Sequence, residues 1–99
     1  MTRLADIVTK VRSKNAGPFW LTIDVFCGAP EVFVRVCDGL SSDGVASALN
    51  CPVNELKRFE IADLNVIKFS LPRPKVQGTI ADRDMHGASF ANLLAEMEI

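Results

Sequence analysis

Apolar positions along this chain change their period twice. Leu4, Ile7, Val8 and Val11 recur at spacings of three and four, which predicts a short amphipathic helix stopped by Gly17-Pro18. From Phe19 the period falls to two. Phe19, Leu21, Ile23 and Val25 alternate with Trp20, Thr22, Asp24 and Phe26, and both sets are substantially apolar, which predicts a strand central in its sheet. Cys27-Gly28-Ala29-Pro30 reads as a turn. Pro30 suits the first turn of a helix and Glu31 suits its dipole, so Val32, Phe33, Val36 and Cys37 form a helical face that Gly39 ends. Val32, Val34 and Val36 also alternate, which keeps a strand over 31–38 open as the rival. Ser41 or Ser42 can cap a second short helix with Val45, Ala48 and Leu49 on one face, closed by Asn50-Cys51-Pro52.

Beyond Leu56 the period is two again. Phe59 and Ile61 alternate with Arg58 and Glu60; after Ala62-Asp63-Leu64-Asn65, Ile67, Phe69 and Leu71 alternate with Val66, Lys68 and Ser70. Two such runs across a short connection predict an antiparallel hairpin, ended by Pro72-Arg73-Pro74. Lys75 to Met85 reads as a loop, Ala88 to Glu96 as a helix with Phe90, Leu93 and Leu94 inward, and Met97-Glu98-Ile99 as a final edge strand. The order is a helix, then β-α(α)-β-β-α-β. That predicts an α+β fold, a ferredoxin-like split βαβ sandwich, with an antiparallel sheet and helices on one face. The uncovered face would carry Trp20, Asp24, Arg58, Glu60 and Lys68. With 99 residues, the chain 1–99 forms one domain.

Composition narrows the function classes. Eleven Lys and Arg nearly cancel twelve Asp and Glu, which argues against a nonspecific nucleic-acid binder. With 48% apolar and 23% charged residues, the chain can build a core. No apolar run approaches the roughly 20 residues of a membrane span, and Asp6 and Lys10 interrupt any signal-peptide core. A cytoplasmic location is the expectation. Cys27, Cys37 and Cys51 fit no zinc spacing and read as packed free thiols. No cofactor is implied.

Candidate chemistry gathers in three polar segments. Arg12-Ser13-Lys14-Asn15-Ala16-Gly17-Pro18 sets two cations, a hydroxyl and an amide beside a Gly-Pro turn, before an apolar strand. Arg73 sits between Pro72 and Pro74, which stiffen its backbone; its guanidinium fork suits a carboxylate or phosphate. In Asp82-x-Asp84-x-His86, alternate side chains would share one face of an extended segment. That trio could act as general acid/base with a carboxylate tuning the imidazole, or hold a metal, or simply be an acidic loop beside an exposed His. The expected assignment is His86 and Asp84 as catalytic groups, and Arg12, Ser13, Lys14, Asn15 and Arg73 as binders of an anionic small molecule, without a metal.

These three segments, with Gly78 and Gly87, resemble a family of small uncharacterised proteins found beside, or fused to, AtuA-like proteins of acyclic terpene utilisation. The likeness runs from Leu4 to Ile99, with one departure at the apolar Ala88-Ser89-Phe90-Ala91. Phe59 to Phe69 is also similar to a strand-turn-strand in the ferredoxin-like domain at the C-terminus of AtuA proteins. The resemblance implies a small or accessory subunit that joins an AtuA-like large subunit in catabolism of an organic acid or its CoA thioester. A hydratase, dehydratase or isomerase would need one base and one carboxylate anchor. The other class is a noncatalytic interaction or oligomerisation module. An apolar patch on the open sheet face, bearing Trp20 and Phe26, would favour a homo-oligomer or a complex with a larger chain.

Overall fold

Two hairpins joined along their inner strands make the sheet. The computed structural model describes residues 2–17, 19–72 and 90–99. Strand β1 (Lys10–Asn15) turns back into β2 (Trp20–Phe26), and β3 (Lys57–Ile61) turns back into β4 (Val66–Pro72). The order across the sheet is β1-β2-β4-β3, with every neighbouring pair antiparallel. Since β4 opposes both β2 and β3, those two run parallel with β4 between them. The connection from β2 to β3 carries helices α2 (Pro30–Gly39) and α3 (Ser42–Ala48), and α4 (Phe90–Ala95) follows later in the chain. The α+β architecture with an antiparallel sheet is therefore present.

The N-terminal helix is shorter than its apolar spacing predicts. Helix α1 covers only Leu4–Ile7, and Val8 is already extended at φ −96°, ψ 163°. Val11 belongs to β1, whose residues are alternately exposed and half-buried. The β-branched Val8-Thr9 and Val11 fit a pleated surface, and a neighbouring strand offers ladder bonds that a marginal short helix cannot match. Thr9 donates to the Phe26 carbonyl at 2.9 Å, and Ala16 to that of Trp20 at 2.9 Å, so the pairing begins and ends cleanly. The wet turn expected from Arg12 onward is thus confined to residues between Asn15 and Trp20. Gly17 takes φ +86° there, a conformation that suits glycine.

Residues 31–38 are helix. Pro30 opens α2 without an amide to waste, and the stripe at its far end reaches the core through Val36 and the following Leu40, both fully buried. Ser41 caps α3 by accepting from the Gly44 amide at 3.0 Å. Asn50, in the left-handed region at φ 57°, ends it: Cys51 donates to Ala46 and Asn50 to Ser47, the paired bonds of a Schellman stop.

The core lies between the sheet and these helices. By register, Leu21, Ile23 and Val25 of β2 lie beside Leu71, Phe69 and Ile67 of β4 on one face, all fully buried. Val36, Leu40, Val45, Leu49, Leu94 and Leu4 close over them. In α4 Leu94 is buried and Phe90 packs half-buried against the core, as expected, with Ala91 buried as well; Leu93, expected inward, is exposed. The expected C-terminal edge strand is also displaced. Residues 97–99 pair with residues 2–4: Leu4 donates to Met97 at 2.7 Å, and Thr2 and Ile99 exchange bonds of 3.2 and 3.0 Å. Strand β1 already holds the sheet edge beside β2 where a C-terminal strand would have gone.

Candidate functional site

Because Arg12, Ser13, Lys14 and Asn15 form a strand, their side chains divide between the two faces of the sheet. Ser13 and Asn15, half-buried, lie on the helix side with Val11; Arg12 and Lys14, exposed, join Lys10 on the open side. The Ser13 hydroxyl accepts the Ala91 amide at 2.8 Å, so it satisfies a first-turn N–H of α4 from a neighbouring element. The structure therefore groups Arg12 with Lys14 and separates both from Ser13 and Asn15. Arg73, Asp82, Asp84 and His86 lie outside the described residues.

The cross-strand register lays the open face out in rows. The first is Lys14, Thr22, Ser70 and Lys57; the second is Arg12, Asp24, Lys68 and Phe59; the third is Lys10, Phe26, Val66 and Ile61. Trp20 stands beyond the first row, opposite Pro72. Strands are spaced about 4.8 Å apart, so a row spans roughly 14 Å between outer Cα atoms. Among the described residues this face holds five cations and one carboxylate, Asp24, on a chain whose formal net charge is −1. Asp24 lies between Arg12 and Lys68, with the Lys68 ammonium 4.0 Å away. The cationic excess is local, and composition hides it.

Two aromatic rings break the charged surface. Trp20 is 42% exposed and Phe59 48% exposed, large values for rings in the strands of a sheet. The Lys57 ammonium sits 5.8 Å from the Trp20 ring centroid, within cation–π range. Thr22, between Trp20 and Asp24 on β2, is only 7% exposed, and its hydroxyl has no hydrogen-bond partner among the described residues.

Arg58 and Glu60, expected on this face, are on the other one. Arg58 is opposite Phe69 and Glu60 opposite Ile67, both core positions. Arg58 stacks over Phe69, with 5.7 Å between guanidinium carbon and ring centroid, and bonds to Glu60. The parity follows from the β3–β4 turn. Ala62–Leu64 form one turn of 3₁₀ helix and Asn65 takes φ 53°, which fixes Ile61 opposite Val66. Periodicity alone left Lys57, Phe59, Thr22 and Ser70 unremarked as a group. The left-handed preference of Asn after a short apolar connection was the signal that could have set the register.

The cysteines are free thiols. Burial, and then the neighbouring Cys37, pushes the Cys27 thiol up to about 11. Burial likewise raises Cys37 and Cys51, with Glu60 adding to the first and Glu55 to the second. A thiol held neutral at pH 7 is a poor nucleophile, so these side chains serve as packing groups. Among the described residues no group of three or more His, Cys, Asp or Glu is placed to hold a metal. What the open face offers chemically is binding: ammonium and guanidinium groups, two hydroxyls and two exposed ring surfaces.

No described helix is long and apolar enough to cross a membrane. No curated protein matches this chain, and no solved structure does. A family model described as "Domain of unknown function (DUF4387)" matches residues 4–98, nearly the whole chain, and the protein belongs to that family.

Proposed function

We propose that this protein is a small accessory subunit that docks through the open face of its sheet onto an acidic surface of a larger AtuA-like polypeptide. The assembled pair would act in catabolism of an organic acid or its CoA thioester, with hydratase, dehydratase or isomerase chemistry. The observation that carries the docking role is the concentration of Lys10, Arg12, Lys14, Lys57 and Lys68 on one face, interleaved with exposed Trp20 and Phe59. Exposed rings with a charged surround are the composition of an interface, with the rings as anchors and the charges as a register-setting rim. The partner's identity rests on the motif resemblance alone.

Charge also selects between partners. Among the described residues, a two-fold dimer formed sheet to sheet would set five cations against five, with Asp24 alone on each side to offset them. Like charges across an interface are costly, so a second copy seated this way is the poorer occupant. An acidic heterologous surface removes the conflict.

Co-expression with an AtuA-like protein tests the reading. The expected result is a stable complex that weakens with added salt, and an affinity about tenfold lower in Arg12→Glu, equivalent to about 1.4 kcal/mol. A 10.8 kDa monomer that leaves the AtuA-like chain uncaptured would overturn it. So would a complex indifferent to both salt and charge reversal.

A further inference from the structure

We infer that the row Lys14–Thr22–Ser70–Lys57 on the open sheet face is a binding subsite for one oxyanion, a carboxylate or a phosphate group. Thr22 is 7% exposed, yet its Oγ1 makes no hydrogen bond among the described residues. Buried hydroxyls are nearly always paired, and those that are not ask for an unfilled partner. Its neighbours define the partner's chemistry. Ser70 is directly opposite on β4 and adds a second hydroxyl; Lys14 on β1 and Lys57 on β3 flank the pair with ammonium groups.

The arrangement is donors without a competing acceptor. Both hydroxyls can donate, both lysines are exposed cations, and the row contains no carboxylate. Asp24, the one acid of this face among the described residues, belongs to the next row, where Lys68 stands at 4.0 Å. Lys57 leans across β4 to place its ammonium 5.8 Å from the Trp20 ring, and Trp20 is two residues from Thr22 on the same face of β2. Lys57 and Thr22 thus both neighbour Trp20 on this face. Valine would fill the Thr22 position with the same shape and no polar atom to satisfy, so the hydroxyl has no packing purpose. An oxyanion bound here accepts from the two hydroxyls and neutralises the flanking charge.

The full chain can be tested with inorganic phosphate and with acetate, each at constant ionic strength balanced by chloride. The expected result is a saturable rise in melting temperature for one or both. Thr22→Val should remain folded, melt no lower than wild type in chloride, and bind the effective anion about tenfold more weakly. Lys57→Met should weaken it as well. A stronger response to phosphate identifies a phosphoryl group as the ligand, and a stronger response to acetate a carboxylate. An unchanged anion response in Thr22→Val, or no saturable response of the wild type to either anion, would overturn the subsite. Either failure leaves the docking role untouched, because partner capture decides that separately.

Discussion

The Arg58 guanidinium donates to the Cys37 carbonyl at 2.9 Å, tying edge strand β3 to the last turn of α2. It also donates to the Leu40 carbonyl, and its Nε bonds Glu60 at 3.0 Å. Helix C-terminal carbonyls lack intrahelical donors, so a planar fork arriving from another element satisfies two at once. The side chain is 17% exposed, which makes these bonds worth more than a surface ion pair. Arg58→Ala should cost about 2–3 kcal/mol by urea denaturation, the range for hydrogen bonds to a charged group plus lost stacking on Phe69. Arg58→Lys should recover only part, since one ammonium cannot reach both carbonyls and Glu60 in the same geometry. Equal stability of Arg58→Ala and wild type would show that solvent caps α2 as well.

Ser13 performs the matching service at the start of α4. Its Oγ accepts the Ala91 amide at 2.8 Å. Ser13→Ala should lower stability by about 1 kcal/mol, as for loss of an N-cap. Hydrogen exchange at the Ala91 amide should accelerate more than exchange in β2 or β4, because a six-residue helix depends on its tertiary ties. Uniform acceleration across the sheet would place the loss elsewhere.

Alkaline pH should destabilise the fold through Cys27. Burial raises this thiol to about 11, whereas an unfolded chain's cysteine titrates near 8.5. Between those values the unfolded chain has released a proton that the folded chain keeps. Stability is therefore fully present below about pH 8.5 and falls as pH rises toward 11, by at most about 1.4 kcal/mol per unit for this one group. The raised Cys37 and Cys51 act in the same direction. Urea denaturation at pH 7, 9 and 10 should show the fall, and Cys27→Ala should flatten it while lowering stability at pH 7. An equal slope in the variant would assign the alkaline loss to other groups.

Strand positions in β2, β3 and β4 were legible because each alternates over several residues, and α2 was legible through Pro30-Glu31. The first eleven residues misled because Leu4, Ile7, Val8 and Val11 satisfy a helical spacing, and only the presence of β2 as a pairing partner decides that Val11 is extended. The motif at Arg12–Asn15 was visible, but its division between two faces was not, since a loop imposes no alternation and a strand does. Likewise, that Arg58 rather than Phe59 shares the core side of the sheet is set by the turn ending at Asn65, several residues off. The row of Lys14, Thr22, Ser70 and Lys57 draws on four strands, a juxtaposition that no local pattern encodes.

The seam between β2 and β4 also orders the folding reaction. The β1–β2 and β3–β4 hairpins each close over a handful of residues, so either can form quickly on its own. Joining them pairs Ile23 with Phe69 across the whole α2–α3 excursion, and the entropy of closing that long loop falls before the buried contacts repay it. The barrier to folding is therefore expected at this seam. Cavities cut into Ile23 or Phe69 should therefore slow folding, whereas loss of the Ser13 or Arg58 ties should mainly hasten unfolding.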